Sequence, residues 1–430
     1  MIGSQVLLGI YGLLKKKAVD PKCPDNFKPS ITVVMPCKNE AKRLPYALAS
    51  LARQTYKIDK VLIIDDGSTD NTSEVIKVMK ELLNNLNIDI LRTGDKSIGK
   101  TPALKMAINK CYTDKMFVFD ADTILEEDYI AKMVASHFDK KVACSYGIVK
   151  PLNRKYKMQF YKDKLETLLK SVQTGKESDI NKLSAKIISE NNDDYSKHLG
   201  LKYYLYEWLI VKYREAVYAD QYFTRNAQKK IFGTTLFPVG CGVLYDREKL
   251  KTVFDKYQKS LGDNLTTSED IFVGFEFCNM GLVNYQVKDA YMWTTEPTLK
   301  RLPFQLVLWN SSFLQSAYYF GKMSVRFVGN KDKKPIGLTI LPPIIEKMSY
   351  PIALLTMGFI AYKWALLTMG IEFITFFGLY YLVTPRKQRN GLASSLIVAE
   401  PIRLLAIPID FYILGKFCVD MISGNRNWRK

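Results

Sequence analysis

Met116-Phe117-Val118-Phe119-Asp120-Ala121-Asp122 is the stretch that decides how this chain folds. A short apolar run with β-branched and aromatic residues reads as a strand buried on both faces of a parallel sheet. It then meets two carboxylates one residue apart. Residues i and i+2 of extended backbone point the same way, so Asp120 and Asp122 converge beyond the strand's carboxyl end. In open α/β sheets that edge is where ligands bind. Two aspartates there suit a hard divalent cation carrying phosphates, Mn2+ or Mg2+. The triplet also fits a pair of helix N-caps, with Thr123-Ile124-Leu125-Glu126-Glu127 opening a helix.

Outward from this strand the chain alternates. Ile31 to Pro36 reads as a strand, Leu44 to Gln54 as a helix, and Lys60 to Asp66 as a second strand. Thr72 to Leu86 reads as a helix, Asp89 to Arg92 as a third strand, and Thr101 to Cys111 as a helix leading into Met116 to Phe119. This order predicts an α/β fold, a doubly wound parallel sheet with right-handed crossovers. Polar loops follow three of the strands: Cys37-Lys38-Asn39-Glu40, Asp65-Asp66-Gly67-Ser68 and Asp120-Ala121-Asp122. Such loops share one edge of the sheet and line one nucleotide-binding crevice. Asp65-Asp66-Gly67-Ser68 also has the composition of a plain turn.

Pro36-Cys37-Lys38-Asn39-Glu40, Asp65-Asp66-Gly67-Ser68-Thr69-Asp70, Gly99-Lys100 with Ala103-Leu104, and Asp120-Ala121-Asp122 together resemble the inverting glycosyltransferases of family 2. The likeness is to the membrane-bound chitin, hyaluronan and cellulose synthase group. It implies a nucleotide-sugar transferase domain of the GT-A type that uses a UDP-sugar and Mn2+ or Mg2+. By that resemblance Glu40 and Asp66, with Pro36 and Asn39 around them, hold the uridine. Lys100 and Asp120 lie at the diphosphate, and Asp122 with Asp120 holds the metal. A carboxylate can accept hydrogen bonds from uracil N3–H or ribose hydroxyls, and a lysine can counter phosphate charge.

Arg154 to Lys230 interrupts the pattern with a lysine-rich insertion, polar from Ile180 to Asp194 and helical from Leu199 to Phe223. That tyrosine-rich helix fits a solvated excursion and a membrane-side helix equally well, and the chemistry is expected elsewhere. Phe237-Pro238-Val239-Gly240-Cys241-Gly242-Val243-Leu244-Tyr245 has glycines that let backbone approach a ligand, and also fits a glycine-kinked strand. It resembles the family segment that cradles acceptor and sugar. Thr267-Ser268-Glu269-Asp270 resembles the family's catalytic motif, which makes Glu269 and Asp270 the catalytic pair and Asp270 the base. Inverting transfer needs one carboxylate to take the acceptor's proton. Ser268 capping a helix that starts near Glu269 is the competing reading. Gln305-Leu306-Val307-Leu308-Trp309 matches the Gln-x-x-Arg-Trp of processive members except that Leu308 replaces the arginine. Upstream, Glu296-Pro297 and Arg301 also match. Gln305, Arg301 and Trp309 are therefore assigned to the donor and acceptor side, and Lys100, Lys300 or Arg301 must cover the missing charge. Trp309 fits an acceptor-stacking role and also the anchor of an interfacial helix from Pro303 to Phe320.

The chain's 430 residues exceed the needs of one such domain, about 250 residues. Net charge is +19 with lysines widely spread, which suits an anionic membrane surface. Nucleic acid is disfavoured because the basic residues flank apolar segments. Seven cysteines without Cys-x-x-Cys spacing and two histidines argue against zinc and for reduced thiols facing a cytoplasm. Val6 to Leu14 is too short to span a bilayer of about 30 Å and reads as an interfacial anchor. Leu338 to Ala361 and Trp364 to Val383 are each near the length of a span, with basic flanks at Asn330 to Lys334 and Pro385 to Arg389. Those flanks put the catalytic domain in the cytoplasm. Leu392 to Ile422 fits a further span or an interfacial segment. The expected domains are an anchor and linker at 1–29, a transferase domain at 30–300 with the insertion at 154–230, interfacial helices at 301–336, and a transmembrane region at 337–430. The expected partners are a UDP-sugar, a saccharide or lipid acceptor and the bilayer. The expected product is a β-linked polysaccharide. The alternatives are one sugar on a lipid, as in ceramide glucosyltransferase-like enzymes, or a catalytically silent scaffold subunit.

Overall fold

The computed structural model describes residues 4–15, 23–152, 201–261, 268–298, 300–330, 334–384, 389, 391–405 and 407–423. Outside the described residues lie most of the expected insertion, including the polar stretch from Ile180 to Asp194, and also Thr267, part of each basic flank and Trp428.

The strand–helix alternation holds. β1 (Ile31–Cys37), α2 (Leu44–Ala52), β2 (Lys60–Asp65), α3 (Thr72–Leu82), β3 (Ile88–Arg92), α4 (Lys100–Lys110) and β4 (Lys115–Phe119) follow in turn after a short N-terminal helix, α1 (Ser4–Leu14). The period of two sorts each strand between two cores. Val33, Met35, Phe117 and Phe119 face one core, with α2 and α3. Val34, Met116 and Val118 face the other, with α4. A sheet with both faces buried explains why these strands read as unbroken apolar runs. Pro36 is tolerated in central β1 because the ladder to β4 ends at Val34. The other edge is satisfied where Cys37 accepts the Asp66 N–H.

The second half of the sheet departs from expectation. Its strand order is β3-β2-β1-β4-β7-β6-β8-β5, and only the first four strands form the all-parallel block. β5 (Thr123–Leu125) and α5 (Tyr129–Ser136) lead to β6 (Val142–Pro151), then come α6 (Leu201–Phe232), β7 (Gly242–Asp246), α7 (Arg247–Leu261), α8 (Glu269–Asn279) and β8 (Val283–Thr294). β7 enters at the carboxyl end of β4, where Gly242 pairs with Phe119, so it runs antiparallel. This direction carries Gly240 and Cys241 to the two aspartates. Thr123 to Leu125 forms no helix. It pairs antiparallel with the end of β8, Thr123 opposite Thr294, so helix capping does not explain Asp120 and Asp122.

The helix expected from Leu199 to Phe223 extends to Phe232 and is a hub. One side of α6 packs on β6 and β8; others meet α1 and the C-terminal helices. The C-terminal helices are α9 (Leu302–Tyr319), α10 (Leu341–Ile360), α11 (Tyr362–Val383), α12 (Leu392–Leu405) and α13 (Ile407–Ile422); α11 and α12 pack on α6, and α9 meets it where Arg214 lies over Trp309. Among the described residues α11 alone is long and apolar enough to cross a membrane, and α12 with α13 forms a bent pair that adds one more if it is a single span. The span expected over Leu338 to Ala361 is not among them. Its helix carries Pro342, Pro343, Glu346, Lys347 and Pro351, which dilute its hydropathy. In α1, Val6 is buried while Leu7, Tyr11 and Leu14 point outward.

Candidate active site

Four carboxylates and one ammonium meet where β4, β7 and α8 end or begin. Asp120 follows β4 and is fixed through its N–H to the Cys241 carbonyl, 3.1 Å away. Lys100 opens α4, and its Nζ lies 2.8 Å from Asp120 Oδ1 and 3.0 Å from Glu269 Oε1. It also donates to the Gly240 carbonyl at 3.4 Å. Lys100 is thus a clamp between β4 and α8, more than the free phosphate counter-charge expected. Asp120 and Glu269 overcome the effect of burial and hold its ammonium well above the ordinary range. Asp270 lies against Gly240, where a Cβ would come within 3.0 Å of its Oδ2. The close approach expected of this glycine is to a ligand; the structure shows one to the Asp270 carboxylate.

The three aspartates of this cluster are pushed toward protonation. Burial, then the charge of Glu269, pushes Asp270 up to about 7. Burial, then Asp120 and Glu40, pushes Asp122 up to about 7. Asp120 is also raised, by burial, although Lys100 opposes it. Ser268 precedes α8, yet its side chain caps nothing; its N–H donates to Ser312 Oγ of α9 at 2.9 Å. The capping alternative thus fails for the helix that carries Asp270. Among the described residues no three acidic, histidine or cysteine side chains gather as a complete metal cage. Asp122 still suits a divalent cation: desolvated and repelled by its neighbours, it gains from a hard positive charge that draws its other oxygens from a diphosphate. Asp120 is partly committed to Lys100.

The side expected to hold the nucleotide is built differently. Asp66 Oδ1 accepts from Thr93 Oγ1 and Ile98 N at 2.8 Å each. Its Oδ2 accepts from Ser97 Oγ at 2.6 Å and Gly99 N at 2.9 Å. Burial alone would raise this group; Ser97, Ile98, Thr93 and Gly99 outweigh it and hold the carboxyl below its ordinary range. All four lone-pair positions are taken, so Asp66 organises the loop after β3. Gly67, at φ 68°, makes room for that loop, since a Cβ there would meet Ser97 N at 3.0 Å. Asp65 accepts from Ser68 N at 3.0 Å and Ser73 Oγ at 2.5 Å. Asn39 has φ 57°, and its Oδ1 takes the Thr69 N–H at 2.8 Å. Glu40 pairs with Arg43 at 3.1 Å, and half-buried Pro36 sits beside this turn.

Of the residues expected on the donor and acceptor side, Gln305 and Trp309 are half-buried in α9, while Lys300 and Arg301 are exposed at its start. The cation beside Trp309 is none of those expected. Arg214 of α6 lies over the indole, its Cζ 4.9 Å from the ring centre. Its Nε is 2.6 Å from Glu296 Oε2, and it donates to Tyr218 Oη at 2.8 Å. Tyr218 in turn donates to Glu296 Oε1 at 2.7 Å. Glu296 and Trp309 carried a motif signal, whereas Arg214 and Tyr218 had only their i, i+4 spacing on one helix face.

Residues 32–254 match the family described as Glycosyl transferase family 2. A 4,4'-diaponeurosporenoate glycosyltransferase of Staphylococcus haemolyticus (strain JCSC1435) is 26% identical over 189 residues, 43% of this chain and 50% of that protein. A poly-beta-1,6-N-acetyl-D-glucosamine synthase of Staphylococcus aureus (strain COL) is 33% identical over 98 residues, 23% of each. The chain thus spans half or less of these curated relatives. A mannosyltransferase from Pyrobaculum calidifontis, solved in complex with GDP-Man and Mn2+, superimposes with a TM-score of 0.55 at 17% identity, covering 93% of this chain and 94% of that one. The likeness is one of fold.

Proposed function

The chain belongs to glycosyl transferase family 2 and is a glycosyltransferase, and from that premise we propose that it performs inverting transfer from a UDP-sugar to an acceptor hydroxyl at a membrane. The observation that carries this reading is Asp270, a half-buried carboxylate pushed up to about 7 beside Asp120, under a Gly240 with no side chain. A base is most effective with a pKa near the working pH. Asp270 takes the proton of the acceptor hydroxyl as that oxygen attacks the anomeric carbon opposite the departing diphosphate, so the configuration inverts. Lys100 keeps α8 against the end of β4, which holds Asp270 at the reacting face. A divalent cation on Asp122, with Asp120 beside it, would neutralise charge on the leaving diphosphate. Glu40 stands next to this pair at the donor, and Asp66 shapes the loop that closes on the nucleotide. Trp309 offers an indole face on which an acceptor sugar stacks.

For the product we favour a β-linked glycan extended at the cytoplasmic face, a reading supported by the match to the poly-N-acetylglucosamine synthase. A second reading is one sugar placed on a lipid acceptor, which α11 would meet in the bilayer through an apolar window of which 6% is buried. The match to the diaponeurosporenoate enzyme points the same way. A panel of radiolabelled UDP- and GDP-sugars, followed by sizing of the product, tests both. Polymer supports the first; a single-sugar glycolipid replaces it with the second. Absence of transfer from every nucleotide sugar, with no donor hydrolysis, overturns the catalytic reading.

A further inference from the structure

Arg214, Tyr218 and Glu296 form a closed ring in which each group bonds to the other two. The Arg214 and Glu296 side chains are 8% and 5% exposed. A buried ion pair of this kind gives little net stability against apolar replacements, and its best-attested use is to fix geometry. What it fixes here is an aromatic ring. The guanidinium, held at Nε by Glu296, lies over the indole of Trp309 with its Cζ 4.9 Å from the ring centre.

Both ends of this assembly belong to elements that adjoin the acidic cluster. Glu296 lies two residues beyond Thr294, which pairs with Thr123, the neighbour of Asp122. Trp309 lies one helical turn before Ser312, whose Oγ accepts the N–H of Ser268 at the start of the Asp270 helix. We infer that Arg214, supplied by α6 from the insertion, is a positioning residue that sets Trp309 with one face covered and the other turned to the acceptor. This inference rests on the reading of Trp309 as the acceptor platform. It gives the insertion a part in transfer.

The test is a double-mutant cycle on the full chain in detergent, with Arg214→Met, Trp309→Phe and the pair. The donor is the nucleotide sugar that the panel selects, and the acceptor probe is octyl β-D-glucopyranoside. The readout is the ratio of transfer to donor hydrolysis. Arg214→Met is expected to lower this ratio about tenfold through a raised acceptor KM, and to add nothing in the Trp309→Phe background. Arg214→Lys, which keeps charge but not the fork, is expected to recover only part of the loss. Losses that multiply in the double variant, or a fall in hydrolysis equal to the fall in transfer, would overturn the inference. If Arg214→Met does not fold, Tyr218→Phe opens the ring while leaving the ion pair. It should lower the same ratio, and an unchanged ratio in folded Tyr218→Phe also overturns it. A normal ratio in Trp309→Phe removes the platform reading and the inference together. A low ratio in Trp309→Phe with a normal one in Arg214→Met removes the inference alone.

Discussion

Two acidic clusters lie along the same edge of the sheet, and the fold treats them in opposite ways. Around β2, Asp65 and Asp66 are surrounded by hydroxyls and backbone N–H groups, and both carboxyls are held below their ordinary range. Around β4, Asp120, Asp122 and Asp270 meet one another across a desolvated gap with Lys100 as the shared cation, and all three are raised. The first cluster is complete without a ligand; its charge builds a loop. The second is incomplete, and its excess negative charge is available for a cation and a proton. Similar acidic residues along one edge therefore separate by their donors: four donors saturate Asp66, while Asp120 shares one lysine with Glu269.

The sharpest break in this comparison is expected at Asp270. Asp270→Asn should lower transfer by about a hundredfold or more, the range for a general base, with nucleotide affinity nearly unchanged by calorimetry. Equal loss of nucleotide binding would give Asp270 a structural part and erase the difference between the clusters. Next in size is Asp66→Ala, which leaves the Ile98 and Gly99 N–H groups without their acceptor. Losing bonds to a charged group is expected to destabilise the fold by about 2–3 kcal/mol, read as a lower urea midpoint, with nucleotide affinity falling as the loop loosens. A stable Asp66→Ala protein that loses only nucleotide binding would show instead that Asp66 meets the base directly.

A smaller effect is expected in the pH profile. Asp270 must be ionised to accept a proton, so with its group near 7 the transfer rate should rise as pH passes through about 7 and level off above it. The flank should disappear from the residual activity of Asp270→Asn. A profile flat from pH 5 to 8 would remove the raised base.

The α/β class and the ligand edge were legible in the chain because periodicity reports burial directly: Met116 to Phe119 is apolar at every position since both sheet faces are covered. The cluster at Asp120, Asp122 and Asp270 was legible from motif order. The mixed second half of the sheet was not, because direction depends on which edge a returning segment enters, and nothing in Gly242 to Asp246 encodes that. The donors to Asp66 were also hidden, since a loop of Thr93, Ser97 and two backbone N–H groups has no pattern of its own. Arg214 was missed for a third reason: its partners Glu296 and Trp309 are 82 and 95 positions away, and only the packing of α6 on β8 and α9 unites them.

The most direct measurement is thermal unfolding of Asp122→Asn beside Asp66→Asn across pH, first without metal and then with Mn2+. The signs are opposite. Asp65 and Asp66 have lowered groups, so their stabilisation is present above about pH 4 and lost as pH falls through the lowered values. Asp122 has a folded value of about 7 against an ordinary 3.8, so its stabilisation is full below about pH 4 and lost as pH rises through about 7. At pH 8 without metal, Asp66→Asn should therefore unfold at a lower temperature than wild type, and Asp122→Asn at the same or a higher one. Mn2+ should raise the wild-type midpoint and leave Asp122→Asn where it was. Equal destabilisation by both substitutions, with the same response to Mn2+, would contradict the division between a finished cluster and one that awaits a cation.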